Sequence, residues 1–94
     1  MRLNETETAL IRNCIRQSFG PRSRAWLFGS RTDDRRRGGD VDLYVEPEHT
    51  DLRTELYCKV KLQELLDLDV DLVVKRPGDE QPIHAIARET GITL

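Results

Sequence analysis

Two aspartates separated by a single residue, Asp40 and Asp42, are the residues of this sequence best placed to perform chemistry. They lie in segment 40–45, where apolar residues occupy every second position. Such alternation predicts a strand, in which side chains two positions apart project from one face, about 7 Å from each other at the backbone. Carboxylates at this spacing can bind one or two divalent ions, and Mg²⁺ is the natural choice for such oxygen ligands.

A Gly-Ser pair, separated from the first aspartate by nine residues, is a candidate phosphate-binding turn. It follows segment 25–28, a short apolar run that predicts a buried strand. Gly29 lets the backbone approach a phosphate closely, the Ser30 hydroxyl and the following amides can donate hydrogen bonds to it, and Arg31 adds a positive charge. Taken singly, a Gly-Ser turn and an Asp-x-Asp strand are common on solvated surfaces. Because the two motifs follow each other closely in the sequence, together they favour a single cleft that both of them line.

The charges of this region are unevenly distributed, although the whole chain carries a net charge of only -2. Residues 21–37 contain six arginines and two aspartates, whereas residues 40–55 contain six acidic residues and one arginine. A basic stretch beside a carboxylate cluster suits a polyanion that arrives with a divalent metal. A solvated loop beside an acidic surface accounts for the same charges equally well.

Length and composition exclude several classes of protein. With 94 residues, 37% of them apolar and 34% charged, residues 1–94 are expected to form a single domain, neither disordered nor membrane-spanning. The acidic start does not match a signal peptide, and two cysteines without a Cys-x-x-Cys pattern do not indicate a disulfide or zinc scaffold. A cytoplasmic protein is therefore expected, and its five aromatic residues disfavour nucleic acid as the main partner.

The helices and strands that position these residues are predicted from the periodicity of the apolar residues and from the residues that interrupt it. The pattern predicts, in chain order, a helix over 5–18, strands over 25–28 and 41–45, a helix over 51–66, a strand over 70–74 and a helix that begins at Pro82. This order predicts a small α/β domain with a mixed sheet.

The second predicted helix has more apolar residues than one packed face requires. They are Leu52, Leu56, Tyr57, Cys58, Val60, Leu62, Leu65 and Leu66. A lone amphipathic helix needs an apolar stripe of only ~100°. The surplus predicts either deep burial against the sheet or contact with another subunit.

Five other side chains are interpreted from local context. Trp26 and the two cysteines are expected in the core. Tyr44 shares a strand face with the aspartates and is expected either to line the cleft or to face solvent. His84 matches no ligand spacing and is expected at the surface.

The two segments that carry chemistry resemble the signature of a known superfamily. Leu27-Phe28-Gly29-Ser30-Arg31, followed by Gly39-Asp40-Val41-Asp42-Leu43, is similar to the signature of the nucleotidyltransferases related to DNA polymerase beta. The short chain resembles the minimal nucleotidyltransferases (MNT), and the resemblance extends to the terminal Pro-Ile-x-x-Ile-Ala-x-x-x-Gly segment. It implies an α/β fold, a small nucleotidyltransferase core whose mixed sheet has three strands or slightly more and is flanked by helices.

The resemblance also implies which residues are catalytic and hold the metal. These are Asp40, Asp42 and an aspartate of the third predicted strand. That strand has Asp69 and Asp71 on one face by parity, and Asp71 is the better match because it lies within the apolar segment. In the family this third carboxylate lies near the attacking hydroxyl, which implies a general-base role for Asp71, with tuning of the metal as the alternative.

The reaction and the partner are implied in the same way. ATP would bind at Gly29, Ser30 and Arg31 with two Mg²⁺ ions, and a hydroxyl of a protein partner would receive AMP. Similar proteins of bacteria and archaea are typically antitoxins paired with a helical HEPN-domain toxin, and some transfer AMP to a toxin tyrosine. A second copy of the chain is a further candidate partner.

Two alternatives remain open at this point. One is a non-catalytic binding module of the same fold that neutralises a toxin by contact. The other is a nucleotidyltransferase that modifies a small molecule, against which the expected lack of an acceptor-binding domain counts.

Overall fold

The chain forms a sheet with helices on both faces, in a computed structural model that describes residues 4–28, 40–76, 78 and 81–94, and of residue 40 the backbone. The elements are α1 (Glu5–Phe19), β1 (Arg24–Phe28), β2 (Asp40–Glu46), α2 (Leu52–Leu66), β3 (Asp69–Val74), α3 (Pro82–Thr90) and β4 (Ile92–Thr93). The predicted helices and strands are confirmed, with ends that differ by at most one residue. The sequence pattern missed β4, because two residues are too few to show a periodicity.

The sheet is mixed, as expected, and has the strand order β3-β2-β1-β4. β1 pairs with both β2 and β4 in antiparallel fashion, whereas β2 and β3 run parallel to each other. A parallel pair needs a crossover, and α2 provides it. None of the helices in the described ranges has the length and apolar character needed to cross a membrane.

α1 and α2 each follow a residue whose side chain accepts a hydrogen bond from a free backbone amide of the first turn. Asn4 accepts a hydrogen bond from the Glu7 amide at 2.7 Å, and the Glu7 side chain accepts one from the Asn4 amide at 3.0 Å. At the start of α2, the Asp51 side chain accepts a hydrogen bond from the Thr54 amide at 2.7 Å. α3 begins with Pro82, which has no amide hydrogen to satisfy. Local sequence therefore sets where each helix begins.

One face of the sheet is covered by α1 and α2, and the main core lies between them. Its buried residues are Ile11, Cys14, Ile15, Phe19, Ala25, Leu27, Val41, Leu43, Val45, Cys58, Leu62, Leu66 and Val70. The two cysteines pack against each other with 3.8 Å between their sulfur atoms, which confirms the prediction that they fill the core. The alternating residues of β1 and β2 supply this face, as the period-two pattern requires.

The opposite face carries a smaller cluster beneath α3. Trp26, Tyr44 and Ala87 are buried there, and the Tyr44 ring stacks on Trp26 at 5.4 Å and on His84 at 5.0 Å between centroids. Trp26 is therefore a core residue, as predicted. The expectations for Tyr44 and His84 were wrong, since their exposed fractions are 0% and 1%. Both are buried because α3 packs on this face, a contact that strand periodicity does not reveal.

The end of α3 lies unusually close to β1. Gly91 donates its amide hydrogen to the carbonyl of Ala87 at 2.8 Å. A Cβ atom on Gly91 would lie 2.4 Å from that carbonyl oxygen and 2.9 Å from the carbonyl oxygen of Leu27. Both neighbours are backbone atoms, so neither can rotate away.

Replacing Gly91 by alanine should therefore destabilise the fold. We expect Gly91→Ala to lower the free energy of unfolding by ~1–3 kcal/mol, because the added methyl group forces α3 away from β1. Urea denaturation followed by circular dichroism measures this change. Glu89→Ala, at an exposed position of the same helix, is the matched control and should change stability by less than ~0.5 kcal/mol. An unchanged midpoint for Gly91→Ala would contradict the close approach.

Candidate functional site

The parallel pairing of β2 and β3 brings together aspartates from two distant parts of the chain. Asp40 is the register partner of Asp69, and Asp42 is the partner of Asp71. Paired positions share a sheet face, and so do positions two apart along a strand. The four backbone positions therefore form a block on one face, at the amino-terminal ends of two parallel strands.

This block lies beside the end of β1, whose last residue packs against the cluster beneath α3. Phe28, the last residue of β1, pairs with Asp42. The next row inward contains Trp26, Tyr44 and Val73, which belong to the cluster beneath α3. Asp71 is exposed, and Asp42 is half-buried. A polar ligand can therefore approach the aspartates without displacing the apolar row.

A depression runs along the edge of β3 beside the aspartates. Its volume is about 290 Å³, and Lys59, Gln63, Asp69, Val70 and Asp71 line it. Gln63 accepts a hydrogen bond from the outward-facing amide of Val70 at 3.1 Å, which holds α2 to this edge strand. The volume is close to the lower end of the range for small-molecule sites, ~300 Å³.

The chemistry of these donors fits a hard divalent cation. Mg²⁺ in phosphate-transfer sites is typically held by one or two carboxylates, with the remaining positions filled by water and substrate phosphates. Asp42 and Asp71 can supply the two carboxylates. Among the described side chains, no group of three or more metal-ligating residues converges on one point. The third carboxylate of the expected set, Asp40, lies outside the described side chains.

The structure tests some of the predictions about the site residues and leaves others untested. The backbone register brings Asp42 beside Asp71 and Asp40 beside Asp69, a pairing that parity within each strand does not specify. Gly29, Ser30 and Arg31 lie outside the described residues, so their role in nucleotide binding stays a prediction. The catalytic and metal-binding roles of the aspartates also stay predictions.

Sequence reasoning did not single out two polar residues of the depression, Lys59 and Gln63. Their spacing of four residues places them on one side of α2. That spacing is the only signal they give, because it does not say that this side faces the edge of β3. Their contribution becomes visible only once the crossover helix is placed.

A hydrogen-bonded carboxylate anchors α3 at the carboxyl-terminal end of β2, opposite the end that carries the aspartate block. Glu46 accepts hydrogen bonds from the Tyr44 hydroxyl at 2.8 Å and from the Arg88 guanidinium at 2.7 Å, both on the same oxygen. Partial burial acts to raise the pKa of Glu46. The hydrogen bonds from Arg88 and Tyr44, with the charges of Arg88 and Lys75, outweigh it and hold the pKa below its usual 4.5. The ionised form of Glu46 therefore stabilises the position of α3.

We predict that this contribution is lost in acid. Because the pKa is lowered by folding, the contribution is present above pH 4.5 and disappears as the pH falls through the lower pKa of the folded state. At pH 7, Glu46→Gln should lower the free energy of unfolding by about 1 kcal/mol. Urea denaturation at a series of pH values should show the wild type and the variant converging in acid. Glu89→Gln is the matched control, and a difference that persists in acid would contradict the assignment.

Comparison with known proteins adds information at the level of the fold. The sequence matches no protein-family model and no curated protein. The fold is similar to a chain in the structure of a tri-AMPylated HEPN toxin from Shewanella oneidensis in complex with MNT antitoxin, with a TM-score of 0.73 and 22% identity. That match covers 97% of this chain and 71% of the other.

Two further similar structures are mutants of the toxin–antitoxin pair MntA-HpeT. One carries a tyrosine-to-alanine substitution, and the match has a TM-score of 0.66, 24% identity, and covers 98% of this chain and 71% of the other. The other carries two aspartate-to-glutamate substitutions two positions apart, with a TM-score of 0.69, 22% identity, and coverage of 97% and 71%. These likenesses confirm the predicted fold class, a small α/β domain whose mixed sheet is flanked by helices.

The register of β2 and β3 leads to a test of whether Asp69 or Asp71 is the third metal-binding carboxylate. We expect Asp71→Asn to weaken Mn²⁺ binding, used as a probe for Mg²⁺, about tenfold or more, because it removes a charged oxygen ligand beside Asp42. Asp69→Asn should have a smaller effect. Binding is measured by electron paramagnetic resonance of free Mn²⁺. Asp67→Asn, at an exposed position outside the block, is the control and should bind like the wild type. The reverse order of the two effects would assign the role to Asp69.

Proposed function

We propose that this chain is a Mg²⁺-dependent nucleotidyltransferase of the MNT family, which transfers AMP from ATP to a hydroxyl of a protein partner. The partner in this proposal is a HEPN-type toxin, for which the chain acts as antitoxin. The observation that carries the proposal is the parallel register of β2 and β3, because it places Asp42 and Asp71 side by side at the end of β1.

Each residue of the proposed site has a defined task. Asp40, Asp42 and Asp71 hold the metal, which when bound neutralises charge on the triphosphate and on the attacking and leaving oxygens. The partner's hydroxyl oxygen attacks the α-phosphorus, the bond to the β-phosphate oxygen breaks, and pyrophosphate leaves. Asp71 accepts the proton of the attacking hydroxyl.

Residues 29–31 bind the nucleotide in this proposal. Gly29 permits close approach of the backbone to the phosphates, Ser30 donates a hydrogen bond, and Arg31 pairs with a phosphate oxygen. Support comes from the position of Phe28, the residue that precedes this segment, which is paired with Asp42. The polypeptide therefore leaves β1 directly beside the aspartate block.

The similar structures support the antitoxin role. One contains a HEPN toxin that carries three AMP groups, together with an MNT antitoxin. Another has two aspartates, two positions apart, replaced by glutamate, and this is the spacing of Asp40 and Asp42. A similar fold in such complexes makes a toxin hydroxyl a reasonable acceptor for this chain.

A binding module without turnover is the second candidate. The large apolar side chains exposed on α2 favour it, because they suit contact with a protein whether or not transfer occurs. In that case the aspartates would be dispensable for neutralising the toxin. The two candidates therefore differ in what a change at the aspartates does.

The distinguishing experiment incubates the protein with α-labelled ATP and Mg²⁺, with and without the product of the adjacent gene. We expect label on that product, reduced by a factor of about 100 or more in Asp40→Ala and Asp42→Asn, because a metal ligand is lost. Asp67→Asn serves as the control that changes an aspartate outside the block.

Two results would contradict the enzymatic proposal. Label that persists in Asp40→Ala and Asp42→Asn would assign the transfer to other residues. A stable complex that carries no label would support the binding module instead.

A further inference from the structure

The helix α2 has one face in the core and a second apolar face that the described part of the fold leaves uncovered. Cys58, Leu62 and Leu66 are buried against the sheet. The large apolar side chains on the rest of the helix are exposed: Leu52 63%, Leu56 56%, Tyr57 62%, Val60 52% and Leu65 43%. The surplus expected from the sequence is therefore not buried within the described chain.

Three of these residues form a continuous row. Leu52, Leu56 and Val60 are spaced by four residues, so they lie side by side along the helix and are called here the α2 stripe. A contiguous row of exposed apolar side chains on a small domain is typical of a protein–protein contact.

A basic hollow lies beside the α2 stripe, in the groove between α1 and α2. Its volume is about 390 Å³, and its lining is Cys14, Gln17, Ser18, Arg53, Thr54, Tyr57 and Lys61. The lining thus contains two cations and no carboxylate. Tyr57 stands between the stripe and the hollow, with the Lys61 ammonium 5.8 Å from the centre of its ring. The hollow suits an acidic side chain that is presented next to apolar ones.

The α2 stripe is also continuous with the edge of the candidate active site. Lys59 and Gln63 border the stripe at its carboxyl-terminal end and line the depression that contains Asp71. The hydrogen bond from Val70 to Gln63 fixes this side of α2 at the edge of β3. A segment that lies along the stripe therefore reaches the aspartate block around the edge strand.

We infer that the α2 stripe and the basic hollow together dock a separate protein that presents an amphipathic helix with acidic side chains beside its apolar row. The docked helix places a hydroxyl of that protein at the edge of β3. This second part rests on the proposed transfer activity, whereas the docking surface itself does not.

The charges of the surface favour a separate protein over a second copy of this chain. In a two-fold symmetric pair both copies contribute the same patch. Two copies joined through α2 would bring two pairs of Arg53 and Lys61 into one interface, and like charges there oppose association. An acidic partner helix has the complementary charge.

The test titrates the product of the adjacent gene against variants of the full chain. We expect the double variant Leu56→Asp/Val60→Asp to raise the Kd at least about 30-fold, because it places charges in the centre of the apolar contact. Ile86→Asp is the matched control, since Ile86 is 51% exposed on α3, outside this surface, and it should leave the Kd unchanged. Circular dichroism checks that each variant is folded.

A second variant tests the hollow without changing the apolar row. Arg53→Glu/Lys61→Glu should also raise the Kd, because the attracting charges are reversed. The affinity of this variant should also depend less on salt than the affinity of the wild type does. This variant keeps the inference testable if the double aspartate variant does not fold.

Transfer of AMP provides an independent measurement. With the labelled-ATP assay, the stripe variant should show a raised KM for the partner and an unchanged kcat at saturating partner, because the aspartates are intact. Asp42→Asn should do the opposite, keeping the complex and losing the label. A complex that depends on the stripe but never carries label would overturn the transfer activity and leave the docking surface standing.

Three results would overturn the docking surface. The first is a Kd that neither the stripe variant nor the hollow variant changes. The second is the absence of any complex with the product of the adjacent gene. The third is a dimer of the chain alone that Leu56→Asp/Val60→Asp dissociates, which would assign the α2 stripe to a second copy.

Discussion

The parallel pairing of β2 with β3 is the interaction on which both the core and the candidate site depend. Val41 and Val70 are paired and buried beneath α1 and α2, and the next pair, Asp42 with Asp71, points to the other face. A slip of one residue would turn Asp71 toward the core and Val70 toward solvent. The free energy of burying the apolar pair therefore holds the aspartates in register, without any attraction between the carboxylates.

The two faces of the sheet pack against different helices. α1 and α2 cover one face, whereas the cluster beneath α3 on the other face contains Trp26 and Tyr44, with Phe28 and Val73 packed against them. Glu46 ties α3 to that row through Arg88 and Tyr44. Within the described residues, Asp71 is exposed and Asp42 is half-buried at the amino-terminal ends of β3 and β2.

The crossover helix α2 links the candidate active site to a candidate partner. Its buried side follows from the parallel connection, which needs a helix packed on the sheet. Its exposed side carries the α2 stripe, and its Gln63 reaches the edge of β3. The sequence left open whether the surplus of apolar residues was buried or met another subunit. Within the described chain only Cys58, Leu62 and Leu66 are buried on this helix, which favours the second interpretation.

Local patterns in the sequence by themselves determined the order of the long elements, the helix starts and the shared face of Asp40 and Asp42, because periodicity and capping involve neighbours along the chain. Only the tertiary structure decided which face α3 covers, and hence that Tyr44 and His84 are buried. It also decided that Asp42 pairs with Asp71, and that Lys59 and Gln63 border the aspartates. Burial and strand register depend on contacts between residues far apart in sequence, which no local pattern records.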